Sequence, residues 1–283
     1  MAAGVGPFTP RGTRTGKRRF GCSRGGRAKK SVHRQNRPCD AGAPDGKSVK
    51  FTKLSGAGND FILIDATRRK GVSWPALARK LCPRGSAIGA DGLLVVCQAK
   101  TPQVVYYNAD GSKAFCGNGM RCAAWWMHHA GWAGKTLSMN THAGTLSAKI
   151  IGPERASVNM PDIKVLAKNR VDTGVPHVVV HVSPRKLKQL DPVALGRPLR
   201  RRFNANVNFV SNEIRVRTYE RGVEDETLAC GTGVVAAAWL SGRKSPVTVR
   251  AKGGTLRVKF DPDGTNVFLE GPVRKTYEGE TQL

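Results

Sequence analysis

The chain is 283 residues long, above the usual size of a single core, and calls for one large or two medium domains. Lys and Arg number 47 against 20 Asp and Glu, a net charge of +27 that favours anionic ligands. No zinc-finger spacing, RNP-like aromatic pattern or basic-leucine heptad gives a nucleic acid a docking element, and no run approaches the ~20 apolar residues of a membrane-spanning helix.

Residues 1–48 are Arg- and Gly-rich, with thirteen Lys or Arg in the first fifty positions against only Asp40 and Asp45. They lack an apolar period and cannot bury enough surface to offset their ordering entropy, so a disordered basic leader is expected. Few serines and no amphipathic helix favour a plain extension or a mis-assigned start over a transit peptide. The expected location is therefore the cytoplasm, with plastid import the lesser alternative.

Folded structure is expected from Val49. "VKFTKLSGAGNDFILIDA" reads strand, glycine turn, strand. "SWPALARKLC" reads as a short helix that Ser73 can cap, with Trp74, Leu77 and Leu81 on one face. "DGLLVVCQ" and "TPQVVYYN" continue as strands, as do "TLSMNTHAGTLSAKIIG", "ERASVNMPD", "PHVVVHV", "ANVNFVSN", "EIRVRTYER", "SPVTVRAKGGTLRVKF" and "NVFLEGPV". Many short strands with two or three helical segments predict an α+β protein whose sheets curl around a few helices.

The seven cysteines, at 22, 39, 82, 97, 116, 122 and 230, form an odd set in a long chain and make a poor disulfide framework. Cys116 and Cys122 have no second close pair, which argues against a structural zinc site. Two of the seven stand out. Shifted by 114 residues, "FCGNGMRCAAWW" (115–126) falls on "ACGTGVVAAAWL" (229–240), aligning Cys116 with Cys230 in matching Cys-Gly-x-Gly turns. Such self-similarity predicts two lobes built on one plan.

In each copy the cysteine precedes a helix-like segment, Met120 to His129 or Val234 to Leu240. Unpaired N–H groups and the macrodipole favour negative charge there, so a thiol can fall below its free pKa of ~8.5. The glycines let backbone N–H groups approach a bound carboxylate. A lone cysteine in a turn is usually a small buried hydrophobe, and Cys82, Cys97 and Cys122 are read that way. Two symmetric thiols suit stereoinversion, in which one group removes a proton from a carbon and the other delivers one to the opposite face. Disulfide redox chemistry usually employs a close Cys-x-x-Cys pair instead.

At these residues the sequence resembles the diaminopimelate epimerase family, cofactor-independent enzymes of lysine and cell-wall biosynthesis. The likeness runs through residues 49–283. "SGAGNDF" (55–61), "GADGLL" (89–94), "NADGS" (108–112), "CGNGMRC" (116–122), "GVPH" (174–177), "NVNFV" (206–210), "YERGVEDETLACGTG" (219–233) and "GPV" (271–273) occur in the family's order. The resemblance implies an α+β fold of two pseudo-symmetric lobes, each a barrel-like sheet around a central helix. Its expected borders are 49–140 for the first lobe and 141–272 for the second, with 273–283 returning to the first.

The same resemblance implies the roles. Cys116 and Cys230 would be the acid–base thiols that interconvert LL- and meso-diaminopimelate. Asn59, Asn108 and Asn206 would bind substrate, and the Arg221 fork would hold its distal carboxylate. Gly117-Asn118 and Gly231-Thr232 would cradle the reacting carboxylate, and Glu220 would contact the substrate, with His177 supporting the site. No cofactor or metal is expected. The partner is a small molecule, with no specific nucleic acid and no membrane, and a homodimer stays open.

Three departures from the family pattern bear on substrate contacts. Val175 and Gly92 stand where other members carry an asparagine and a glutamine, and "RGVEDETLACG" is one residue longer than usual. The shortening of the chain relative to the family falls around "PDIKVLAKNRVD", read as a loop. Two alternatives remain: a proline-type racemase that also uses paired cysteines, and a basic nucleic-acid-binding protein.

Overall fold

The computed structural model describes residues 48–282, so the expected leader lies outside the described residues. The first half runs β1 (Ser48–Gly56), β2 (Asn59–Asp65), α1 (Trp74–Leu81), β3 (Gly92–Cys97), β4 (Gln103–Asn108) and β5 (Lys113–Ala114). It continues with α2 (Gly117–His129), β6 (Thr136–Thr141), β7 (Gly144–Gly152) and β8 (Arg155–Asn159). The second half runs β9 (Lys164–Ala167), β10 (Arg170–Asp172), β11 (Pro176–Val182), α3 (Pro184–Gln189), α4 (Pro192–Phe203), β12 (Asn206–Ser211) and β13 (Arg215–Glu220). Then come β14 (Asp225–Thr227), α5 (Gly231–Leu240), β15 (Val247–Ala251), β16 (Gly254–Lys259), β17 (Phe268–Pro272) and β18 (Arg274–Gln282).

Pairing turns the repeat in the sequence into a repeat in space. From β18 the ladder runs β1, β2, β3, β4, β6, β7, β8. It crosses at the antiparallel pair β8–β17 and returns through β16, β15, β13, β12, β11, β10 to β9. Parallel steps occupy matching places, β2/β3 and β4/β6 in one half and β11/β12 and β13/β15 in the other. A parallel step needs a crossover, and α1 supplies it between β2 and β3 while α3 and α4 supply it between β11 and β12.

Among the described residues no pairing closes either half on itself, so the barrel-like expectation becomes an open, curled sheet. The expected border at residue 140 falls inside β6. The ladder changes halves between β8 and β9, because β6, β7 and β8 pair with first-half strands.

One central helix fills each half. The strands of the first half pack on α2 and those of the second on α5. The α5 sequence is apolar on every side, as a helix enclosed by a sheet must be, and Val234 to Ala238 are buried. A separate apolar layer of Trp74, Leu77 and Leu81 with Ile62, Ile64 and Leu93 lies under α1.

Three local expectations change. Ser73 occupies the N-cap of α1 but makes no capping bond through its side chain. Helices α3 and α4, missed as helices in the sequence, start at Ser183-Pro184 and Asp191-Pro192, where the cap side chains accept from Lys186 N and from Val193 N and Ala194 N. The presumed loop at "PDIKVLAKNRVD" contains the paired strands β9 and β10.

Candidate active site

Both motif cysteines are helix N-caps. Cys116 is extended, with φ −135°, and its carbonyl accepts from Met120 N at 2.9 Å. Its sulfur accepts from Gly119 N at 3.5 Å. Cys230 starts α5 likewise, accepting from Val234 N at 2.9 Å, and its Sγ lies 3.3 Å from Thr232 Oγ1. The glycines that follow let the two helix starts converge. A Cβ on Gly117 would stand 3.4 Å from Leu269 Cδ2 and one on Gly231 3.1 Å from the same atom. Leu269 belongs to β17 at the crossing of the two halves, so the repeat axis brings both cysteine turns onto one residue.

The electrostatics correct the expectation of acidified thiols. Burial pushes the Cys116 thiol up to about 11, against the N–H donors of Gly119 and Asn118, and a nearby Glu220 adds to the rise. Cys230 is pushed further, first by burial and then by Glu220. Desolvation disfavours a thiolate more than a single helix start favours it. In the free protein both thiols are therefore protonated near neutral pH. Cys116 keeps a partly open face, whereas Cys230 is buried.

A hydrogen-bonded chain of fixed polarity joins the halves. Asp91 accepts from Asn59 Nδ2 at 2.9 Å, and because a carboxylate only accepts, this sets the Asn59 amide. Asn59 Oδ1 accepts from Asn118 Nδ2 at 2.6 Å, and the same nitrogen donates to the Ala229 carbonyl at 3.0 Å. Asn118 Oδ1 is buried without a partner among the described residues. Asp91 is anchored by Arg84 at 2.8 Å, which also pairs with Asp60 at 2.5 Å, and Lys53 meets Asp60 at 2.6 Å.

A second polar cluster lies against the start of α5, where a Cβ on Gly233 would meet Asn208 Oδ1. Arg221 N donates to Asn206 Oδ1 at 2.7 Å, which turns the Asn206 Nδ2 toward His177. Asn208 Nδ2 donates to the Val178 carbonyl at 3.2 Å and to His177 Nδ1 at 3.0 Å. With Nδ1 accepting, the His177 proton belongs on Nε2, and the 3.4 Å approach of Asn206 Nδ2 to Nε2 faces donor to donor. Burial, followed by the charge of Arg221, holds His177 down at about 3, so it is neutral. Glu220 is raised by burial, opposed by donors on Thr227 and Cys230.

Cys116, Cys230, Asn59, Gly117, Asn118, Gly231 and Thr232 thus gather around the two helix starts, and Glu220 joins Cys230. Asn206, Arg221 and His177 form the adjoining cluster, where the Arg221 guanidinium donates to the Asn204 carbonyl at 2.9 Å. Asn108 ends β4 and closes its turn, donating to Ser112 Oγ at 3.0 Å.

Register locates one departure and space accounts for another. His177 pairs with Asn206 as Phe61 pairs with Gly92, so Val175 is the second-half counterpart of Asn59. Gly92 has no room for a side chain, since a Cβ would stand 2.4 Å from the Tyr106 ring and from the Tyr107 carbonyl. Tyr106, Asp91, Thr173 and Asn208 were missed as site residues. Thr173 donates to the Thr232 carbonyl at 3.0 Å, and Tyr106 is a buried, neutral phenol whose ionisation is opposed first by burial and then by Cys116. Asp91 and Asn208 lie inside quoted motifs, so position was the available signal.

A sequence profile described as diaminopimelate epimerase matches residues 51–165 and 170–276, with its break at the β9–β10 turn. Diaminopimelate epimerase of Hydrogenobaculum sp. (strain Y04AAS1) is 37% identical over 269 residues, covering 81% of this chain and 97% of that one. The enzyme of the same description from Chlorobaculum tepidum is 39% identical over 259 residues, covering 81% and 100%. Among solved structures, a Bacillus anthracis phenazine biosynthesis protein of the PhzF family superposes with a TM-score of 0.65 at 14% identity. It covers 84% of this chain and 100% of its own, a likeness of fold.

Proposed function

This chain belongs to the diaminopimelate epimerase family, and from that premise we propose that it interconverts LL- and meso-diaminopimelate by two-thiol proton transfer. The carrying observation is that Cys116 and Cys230 each cap a helix start, and that the glycines following them, Gly117 and Gly231, converge on Leu269 at the crossing of the two halves. One thiolate removes the α-proton while the other thiol delivers its proton to the opposite face, and reversal exchanges the two roles. The N–H groups of the Gly117-Asn118 and Gly231-Thr232 turns receive the α-carboxylate and the charge that develops beside the carbanion.

The unpartnered Asn118 Oδ1 is an acceptor for the substrate ammonium. An ammonium bound there also offsets the burial that keeps the thiols protonated, so ionisation accompanies binding. Asn59, Asn108 and Asn206 orient the chain of the substrate, Arg221 takes the distal carboxylate, Glu220 contacts the substrate and His177 braces Asn208.

No helix among the described residues is long and apolar enough to cross a membrane, and we place the reaction in the cytoplasm. The test is solvent deuterium exchange at the α-carbon of LL- or meso-diaminopimelate by reduced protein, with proline as the control. Exchange into diaminopimelate alone supports the reading. Exchange into proline alone assigns the chain to the racemase alternative, and no exchange into either substrate overturns the reading.

A further inference from the structure

Arg121 is fully buried in α2, and none of its three guanidinium nitrogens has a hydrogen-bond partner among the described residues. A buried cation without a carboxylate is costly, so its retention calls for a compensating charge. The ionisable groups near enough to act on it are the thiols of Cys122 and Cys116, were they to ionise, and the cation of Arg155. Arg155, on β8, pairs with Glu270 at 2.6 Å and so occupies that carboxylate.

Space for the guanidinium is made by Gly271 of β17, where a Cβ would stand 2.9 Å from Arg121 Nη2 and 3.1 Å from Nε. The other half of the repeat does not build this pair. Val235 stands in the place of Arg121, and Met160 in the place of Gly271 by strand register. The charge of opposite sign is also unequal. Gly92 faces Asn108 as Asn206 would face Glu220, so the first half carries Asn108 where the second carries the carboxylate beside Cys230. One thiol shares its helix with a buried, unpaired cation, and the other has a carboxylate as its hydrogen-bond partner.

We propose that Arg121 is a positioning residue that stabilises negative charge on Cys116, making Cys116 the first of the two thiols to ionise while Cys230 keeps its proton. This rests on the reading of the two cysteines as the acid–base pair. Cys116, not Cys122, is the beneficiary. Cys122 is fully buried, with a Cβ on Gly56 placed 2.9 Å from its sulfur, and burial pushes it to about 12. Cys116 is partly open and already has N–H donors from Gly119 and Asn118. The groups facing Cys116 are Arg121 on its own helix, Glu220 at the end of β13, Tyr106 on β4 and Cys230 across the axis. Glu220 also opposes its ionisation, and Glu220 acts on Cys230 at least as directly.

The experiment measures the alkylation rate of each cysteine by iodoacetamide in the full chain without substrate, from pH 7 to 9.5, by peptide mass spectrometry. In the unaltered protein Cys116 should gain reactivity at lower pH than Cys230, and the reverse order overturns the proposal. Arg121→Met should slow Cys116 about tenfold at a given pH, leave Cys230 unchanged, and move the acidic limb of kcat/KM upward by about one pH unit. Arg121→Lys should restore most of both. A folded Arg121→Met protein with unchanged Cys116 reactivity overturns it. If that variant does not fold, Gly271→Ala displaces the guanidinium with its charge intact, and a slower Cys116 supports the proposal while an unchanged one overturns it. Full epimerisation by protein alkylated at Cys116 would instead overturn the acid–base reading beneath it.

Discussion

Asn118, at the start of α2, donates through Nδ2 to the carbonyl of Ala229 at 3.0 Å, and Ala229 directly precedes Cys230. The turn that follows one thiol therefore holds the residue in front of the other. Asn59 and Asp91 fix the direction of that amide from the first half. Replacing Asn118 with Leu leaves the Ala229 carbonyl and Asn59 Oδ1 without their donor, at a cost of about 1–3 kcal/mol. Urea unfolding should show that loss, and turnover should fall further than stability alone accounts for. Wild-type turnover would separate this contact from catalysis.

Cys116→Ala and Cys230→Ala should each lower epimerisation by at least ~10²–10⁴-fold, the usual worth of one acid or base. Far-UV circular dichroism should stay unchanged, since each thiol sits at a helix cap and Ala fills less space there. Retained turnover in either variant refutes the pairing.

His177 should give stability a pH dependence of known sign. Its folded value is held near 3 against 6.5 for the free side chain, so between these pH values the unfolded chain binds the extra proton. Stability from this group is complete above about pH 6.5 and is lost as pH falls, by up to ~1.4 kcal/mol per pH unit. Denaturation between pH 7.5 and 5 measures the slope. His177→Gln keeps an acceptor for Asn208, does not titrate, and should flatten it.

Lys53 and Asp60 are unequal partners. Asp60 also pairs with Arg84, whereas among the described residues the buried Lys53 ammonium has only Asp60 and the Gly89 carbonyl. Asp60→Asn should cost on the order of 3 kcal/mol by leaving a buried cation exposed to no counter-charge, and Lys53→Met should cost less. Equal losses in thermal unfolding would contradict that asymmetry.

Gly92→Ala forces a methyl to within 2.4 Å of the Tyr106 ring and the Tyr107 carbonyl. The backbone cannot yield as a side-chain tip does, so destabilisation of about 1–3 kcal/mol is expected. Calorimetry reads it directly. A neutral result would mean that β3 and β4 part easily beside Tyr106.

Much was legible along the chain itself. The echo of Cys-Gly-x-Gly at a spacing of 114, the alternation of short strands and the glycine turn before Asn59 are local patterns, set by φ preference and apolar period, and they located two cysteines at helix starts. Tertiary structure decided what local pattern cannot carry. Burial overrode the helix-start effect and left both thiols protonated, because desolvation depends on everything packed around a sulfur. The crossing at β8–β17, the direction of the Asn118 amide and the unpaired charge of Arg121 all arise from residues distant in sequence. "CGNGMRC" announces a cysteine at a helix start; only the folded chain shows that its arginine is buried with no carboxylate to answer it among the described residues.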